Sequence, residues 1–157
     1  MKIALYLLLS SWCALGFGQA TDYEITSYLE EGVKAPNTHY IGEAWLNSLI
    51  RSDDNLSYNI TKATFKANST LDWHKHSTPQ VIVVLSGEGY YQERGKAAIL
   101  MGEGDVIRCK QGVEHWHSSS KESDVTYLAI YGGGQPSMWT EVLTQDAYDE
   151  VAEMLKD

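Results

Sequence analysis

Two short stretches carry most of the side chains that could do chemistry. Asp72-Trp73-His74-Lys75-His76-Ser77-Thr78-Pro79-Gln80 holds two of the chain's five histidines one residue apart. Gly112-Val113-Glu114-His115-Trp116-His117 holds two more at the same spacing. In an extended strand successive side chains point to opposite faces, so His74 and His76 share one face while Trp73 and Lys75 take the other. The same alternation puts His115 and His117 together, with Trp116 opposed. One His-x-His pair alone can be two ordinary histidines. Two pairs, separated by strand and turn signals, point to a site, and imidazoles gathered on one face suit a divalent transition metal.

The elements that must position these pairs read as strands. Residues 57–66 are rich in β-formers (Tyr58, Ile60, Thr61, Thr64, Phe65),. Residues 40–50 mix aromatic and aliphatic side chains and predict an earlier strand, with Trp45 packing on the body. Residues 81–85 form an apolar run of the length of a buried strand. Ser86-Gly87-Glu88-Gly89 reads as a turn before a strand over 90–93, and Arg94-Gly95-Lys96 as another turn. Residues 97–100, 105–109 and 124–131 complete the set. Turn signals recurring every roughly 8–12 residues mark an all-β sandwich or barrel. After Gly132-Gly133-Gly134 the pattern changes to a terminal helix. Thr144 can cap it, Asp146 lies near its N-terminus, and Tyr148, Val151, Ala152 and Leu155 share a face.

The chain's 157 residues correspond to one domain,. Residues 1–20 read as a secretory signal peptide: Lys2 supplies the positive start, residues 3–9 the apolar run, and Gly18-Gln19-Ala20 the small residues of a cleavage site near Ala20,. That segment is too short for a membrane anchor, and it predicts export to the periplasm or the outside. The expected layout is a signal peptide over 1–20, an arm with little firm structure over 21–36, a β-barrel over 37–135, and an extension with a helix over 136–157. The formal net charge is −9, and loss of Lys2 with the leader makes it one unit more negative. Such a chain repels nucleic acid and anionic membrane surfaces. A small-molecule substrate is the expected partner, and a homo-oligomer is compatible with the pattern.

Beyond the leader only Cys109 remains, so no intrachain disulfide forms,. Cys109 reads as a buried apolar residue rather than a ligand. His39 has no partner at ligand spacing and reads as non-functional. Asn55, Asn59 and Asn68 each begin a glycosylation sequon, but Asn, Ser and Thr are common in strands and turns, and that is the simpler reading.

The histidine spacings resemble the cupin superfamily. Its first motif runs Gly, five residues, His-x-His, three or four residues, Glu, six residues, Gly. Here the same positions hold Asn68, His74, His76, Gln80 and Gly87. Its second motif runs Gly, five residues, Pro-x-Gly, two residues, His, three residues, Asn, and here it holds Gly104, Lys110-Gln111-Gly112, His115 and Ser119. Asn at 68 is a mild change, since Asn tolerates left-handed backbone better than other non-glycine residues. The resemblance implies a double-stranded β-helix (a cupin or jelly-roll barrel) with a short C-terminal helix. It also implies that His74, His76, Gln80 and His115 converge on one divalent metal. Manganese is the first expectation, with iron, nickel, cobalt, copper or zinc as alternatives.

Gln in place of Glu and the His-Trp-His triplet narrow the resemblance to small bacterial single-domain cupins that include manganese-dependent hydroxynitrile lyases. In that group the position of His117 lies beside the metal as an active-site residue, which makes His117 the expected general acid or base. A histidine that moves protons there is matched here by Tyr127, a poor base at neutral pH. Tyr127 is therefore expected as a proton donor or substrate hydrogen bond, with core packing as its alternative. Thr61, Ala63, Ala129 and Tyr131 are the matching pocket positions. Trp73 and Trp116, facing away, are expected outside the pocket. The leading expectation is a metal-dependent lyase acting on a small oxygenated molecule. A cupin-type dioxygenase and a non-catalytic binder of metal or a small ligand are the alternatives.

Overall fold

The computed structural model describes residues 23–156; the expected signal peptide lies outside them. The strands are β1 (Val33–Lys34), β2 (Tyr40–Ile41), β3 (Ala44–Ile50), β4 (Tyr58–Phe65), β5 (Thr70–Leu71), β6 (Trp73–Lys75) and β7 (Gln80–Glu93). They are followed by β8 (Ile99–Gly102), β9 (Val106–Cys109), β10 (His115–His117), β11 (Val125–Gly132), β12 (Met138–Glu141) and one helix, α1 (Gln145–Met154). Ten strands form one continuous antiparallel sheet in the path β1-β3-β4-β11-β7-β10-β6-β12, with β8 and β9 also paired to β7. The small β2–β5 pair stands apart from it. This is the expected all-β double-stranded β-helix with a short C-terminal helix.

The sheet turns back on itself at β7. The first half of β7 pairs with β9 and β11, for instance Ile82 with Ile107 and with Ala129. Its second half pairs with β8 and β10, Tyr91 lying opposite Ile99 and His117. The turn expected over Ser86–Gly89 is therefore the interior of a 14-residue strand. Gly87 makes the passage, with φ of 72°. A Cβ there would lie 1.9 Å from the Asp124 carbonyl oxygen. Its glycine marks a bend and a close approach of two strands rather than a reversal.

The expected early strand over 40–50 is likewise split. Gly42, at φ 81°, breaks it, and Glu43 N–H donates to Ser69 Oγ instead of to a strand partner. Within the arm, Val33 and Lys34 pair with Leu46 and Trp45 of β3. The segment after the glycine run supplies β12, which pairs with β6 and lays Trp139 opposite His74.

Two apolar clusters divide the interior. The first lies between the folded halves of the sheet and includes Ala63, Phe65, Ile82, Val84, Tyr91, Met101, Val125, Tyr127 and Ala129. The second joins Trp73, Tyr90 and Trp116 to Leu143, Tyr148, Val151 and Ala152 under α1. Helix α1 forms as the sequence predicts: Thr144 Oγ1 accepts from Ala147 N–H at 3.2 Å, and Tyr148, Val151 and Ala152 are buried. Trp73 and Trp116, edge to face at 6.3 Å, thus pack beneath the helix on the face away from the histidines.

Candidate metal centre

His74 on β6 and His115 on β10 are direct cross-strand partners. His117 lies two residues further along β10, and His76 just past the end of β6. The alternation of β10 sends His115 and His117 inward and Trp116 outward, as the sequence predicts. All four histidines are buried. Ring nitrogens of His74, His115 and His117 lie within 4.8 Å of one another, a spacing that can hold a metal ion. The ring of His76 is 5.1 Å from that of His74 and 5.5 Å from that of His115, but it falls outside that trio.

Each imidazole has a neighbour at Nδ1. His74 Nδ1 lies 3.0 Å from the Asp72 carbonyl and His115 Nδ1 lies 3.1 Å from the Val113 carbonyl. His76 Nδ1 is 3.4 Å from Ser137 Oγ, and His117 Nδ1 is 2.6 Å from Tyr127 Oη. A carbonyl only accepts, so His74 and His115 carry their proton on Nδ1 and keep a lone pair on Nε2. Anchoring one ring nitrogen in this way orients the other toward a ligand. Among the described residues, His76 Nε2 and His117 Nε2 are buried with no hydrogen-bond partner. Orphaned buried polar atoms of this kind are uncommon in folded proteins.

Gln80 completes the argument for a cation. Its Oε1 lies 2.9 Å from His115 Nε2. Both are acceptors once His115 Nδ1 holds the proton. Such a pair is stable when the amide turns its NH2 toward the ring or when a cation binds both. A set of neutral imidazoles with an amide oxygen is a good donor set for a first-row divalent metal, so the residues fit one.

Burial keeps the imidazoles neutral. Desolvation holds His74 and His117 well below the usual histidine range and lowers His115, against the Val113 hydrogen bond and Glu93, which oppose it. His76 is pushed down to about 4, again chiefly by burial. Neutral imidazole is the form that ligates.

The histidines open on a cavity of about 100 Å³. Thr61, Ala63, Ala129 and Tyr131 line it, together with His74, His76, Gln80, His117 and Tyr127. The pairing of β11 with β4 sets Tyr127 opposite Ala63 and Ala129 opposite Thr61, which is why these four expected positions share a wall. His115 is fully buried behind it. Among the described residues, no carboxylate lines the cavity.

Sequence reasoning missed Tyr40 and Trp139 as lining residues. Trp139 sits 5.2 Å from the His74 ring and stacks at 4.2 Å on His39. His39 Nδ1 also lies 3.1 Å from the Asp72 carboxylate, so that histidine is structural. The only local signal for β12 is the alternation of Met138-Trp139-Thr140-Glu141, too short to read. Cys109 is buried as expected, with Sγ 3.2 Å from His115 Nδ1, on the side of the ring away from Gln80. Two of the four motif departures, those at 68 and 119, are accommodated locally. Asn68 takes a φ of 59°, and Ser119 Oγ accepts from Ser69 N–H at 2.9 Å while donating to the Lys66 carbonyl at 2.6 Å.

Residues 62–131 match the cupin domain family. An (R)-mandelonitrile lyase from Granulicella tundricola is 28% identical over 117 residues, covering 73% of this chain and 89% of that protein. A cupin-like protein from Thermotoga maritima superposes with a TM-score of 0.75 at 26% identity, over 82% of this chain and 98% of that one. A predicted oxalate decarboxylase from the same organism shares the fold, with a TM-score of 0.61 at 21% identity over 71% of this chain and 100% of that one.

Proposed function

We propose that the chain, whose residues 62–131 match the cupin domain family, is a metal-dependent lyase acting on a small oxygenated molecule. His74, His76, Gln80 and His115 would hold one divalent ion, manganese first among the candidates. The observation that carries this reading is the meeting of His115 Nε2 and Gln80 Oε1, two acceptors at 2.9 Å beside the other imidazoles. A divalent metal bound there would supply Lewis acidity, lowering the cost of negative charge on a nearby oxygen.

The chain's own residues shape the rest. Gln80 is neutral where a carboxylate would offset one positive charge, so the site keeps more of the ion's charge. The cavity has room for only a few heavy atoms and holds no carboxylate, which favours a compact ligand with an oxygen or other electron-rich atom. His117 stands beside the donors, hydrogen-bonded to Tyr127, as the group that shares a proton with the ligand. Ala63 and Ala129 keep the opposite wall open. The likeness to an (R)-mandelonitrile lyase supports carbon–carbon cleavage beside a hydroxyl as the first reaction to try.

The test loads the purified protein separately with manganese, iron, cobalt, nickel, copper and zinc, then measures cleavage of mandelonitrile and of smaller cyanohydrins. Release of aldehyde and cyanide by one loaded form, absent from the metal-free protein and from His115→Ala, is the expected result. Oxygen uptake without such cleavage would replace the lyase reading with an oxygenase. Metal binding with no turnover of either kind would leave a binding protein.

A further inference from the structure

Tyr127 and His117 form a closed pair at the base of the cavity. Both are buried, with Oη and Nδ1 2.6 Å apart. Tyr127 Oη has no other hydrogen-bond partner among the described residues. A neutral phenol has one proton to donate, and leaving it unpaired in the interior is costly. Among the described residues, the only acceptor within reach is His117 Nδ1. If Nδ1 accepts, a neutral His117 must carry its proton on Nε2. Nε2 is the atom left buried with no partner.

This is the opposite tautomer from that of His74 and His115, whose Nδ1 protons go to the carbonyls of Asp72 and Val113. The difference lies in the anchor: a carbonyl can only accept, whereas a hydroxyl can donate. Two histidines of the trio therefore present lone pairs, and the third presents an N–H.

We infer that Tyr127 is a positioning residue that locks His117 in the Nε2–H tautomer, making His117 a neutral hydrogen-bond donor to an electron-rich atom of the ligand rather than a base or a metal ligand. In that tautomer Nε2 has no lone pair with which to take a proton or bind an ion. Complete transfer of the Nε2 proton would require the Tyr127 proton to move onto Nδ1 and leave a buried phenolate. Burial holds the Tyr127 hydroxyl well above its ordinary value, which opposes that step. His117 thus stabilises negative charge by sharing its proton, as a neutral electrophile can. A base for the reaction has to come from elsewhere, such as solvent. The ligand class is that of the proposed reading, but the tautomer itself depends on neither metal nor turnover.

Nitrogen-15 NMR of the histidine side chains tests this directly, because protonated and unprotonated ring nitrogens give distinct shifts and coupling patterns. The His117 signals are assigned by their loss in His117→Asn. In the metal-free wild-type protein, His117 is expected with Nε2 protonated and Nδ1 bare, and His74 with the reverse. Zinc loading should move the His74 and His115 signals and leave the His117 tautomer unchanged. In Tyr127→Phe, whose fold is checked by its backbone amide spectrum, His117 should lose its single tautomer and respond to zinc. An Nδ1–H tautomer in the wild type, or a Tyr127→Phe spectrum with His117 unchanged, overturns the inference. If no histidine responds to zinc or to any other divalent ion, the metal reading fails while the wild-type tautomer still stands or falls on its own spectrum.

Discussion

His74 and His115 face each other across the antiparallel pairing of β6 and β10, with ring centroids 4.2 Å apart. Each is anchored by a main-chain carbonyl two residues earlier in its own segment, Asp72 for His74 and Val113 for His115. The two halves of the site therefore repeat one local device. A residue two positions before the histidine supplies the acceptor, and the strand supplies the inward direction.

That symmetry predicts equal importance for metal retention. The wild-type protein should bind about one equivalent of metal, whereas His74→Ala and His115→Ala should bind little. At a free-metal concentration a thousand times its Kd, the ion should stabilise the wild type by about 4 kcal/mol and the variants negligibly. Elemental analysis and thermal melts with and without metal measure both. Full retention by His115→Ala would refute the assignment.

Acid should weaken the metal-free fold through the buried histidines. His76 is held at about 4 in the folded protein against an ordinary value of 6.5. The unfolded chain takes up the proton first, so stability is fully present above pH 6.5 and falls as the pH drops toward 4. His76 alone contributes roughly 3 kcal/mol to that fall. Urea unfolding at pH 7.5 and pH 4.5 reads it, and equal midpoints at the two values would contradict the burial argument.

Gly87 and Gly95 separate backbone conformation from close packing. Both have positive φ, 72° and 77°. A Cβ at Gly95 meets nothing within 4 Å, whereas one at Gly87 would lie 1.9 Å from the Asp124 oxygen. Gly95→Ala should cost about 1–2 kcal/mol, the strain of a left-handed residue. Gly87→Ala should cost that much plus the displacement of β11 from β7, or prevent folding. Comparable melting points for the two variants would overturn this account of how β7 passes between its partners.

Filling the cavity should separate binding of the ion from binding of the ligand. Ala63 is buried in the wall, opposite Tyr127. Ala63→Leu should cost about 1–3 kcal/mol through overpacking. It should keep its metal and lose turnover by an order of magnitude or more. Undiminished turnover in a correctly folded Ala63→Leu variant would place the reacting molecule outside this cavity.

Much of the site was legible because strand alternation is a local property. The period of two put His74, His76, His115 and His117 inward and Trp73 and Trp116 outward, and the structure keeps that division,. The terminal helix was equally legible, since its cap and apolar face lie within one short segment. Tertiary structure alone decided the rest. His74 meets His115 across 40 intervening positions of chain, and Trp139 reaches His74 only because β12 adds to the edge of β6. Gly87 sits inside a strand rather than in a turn because β11 and β8 pair on either side of it. The tautomer of each histidine follows from which distant or local oxygen meets its Nδ1: a carbonyl for His74 and His115, the Tyr127 hydroxyl for His117. Local backbone geometry fixes which way a side chain points. What it meets there depends on long-range register, which is set by packing and loop closure across the whole sheet.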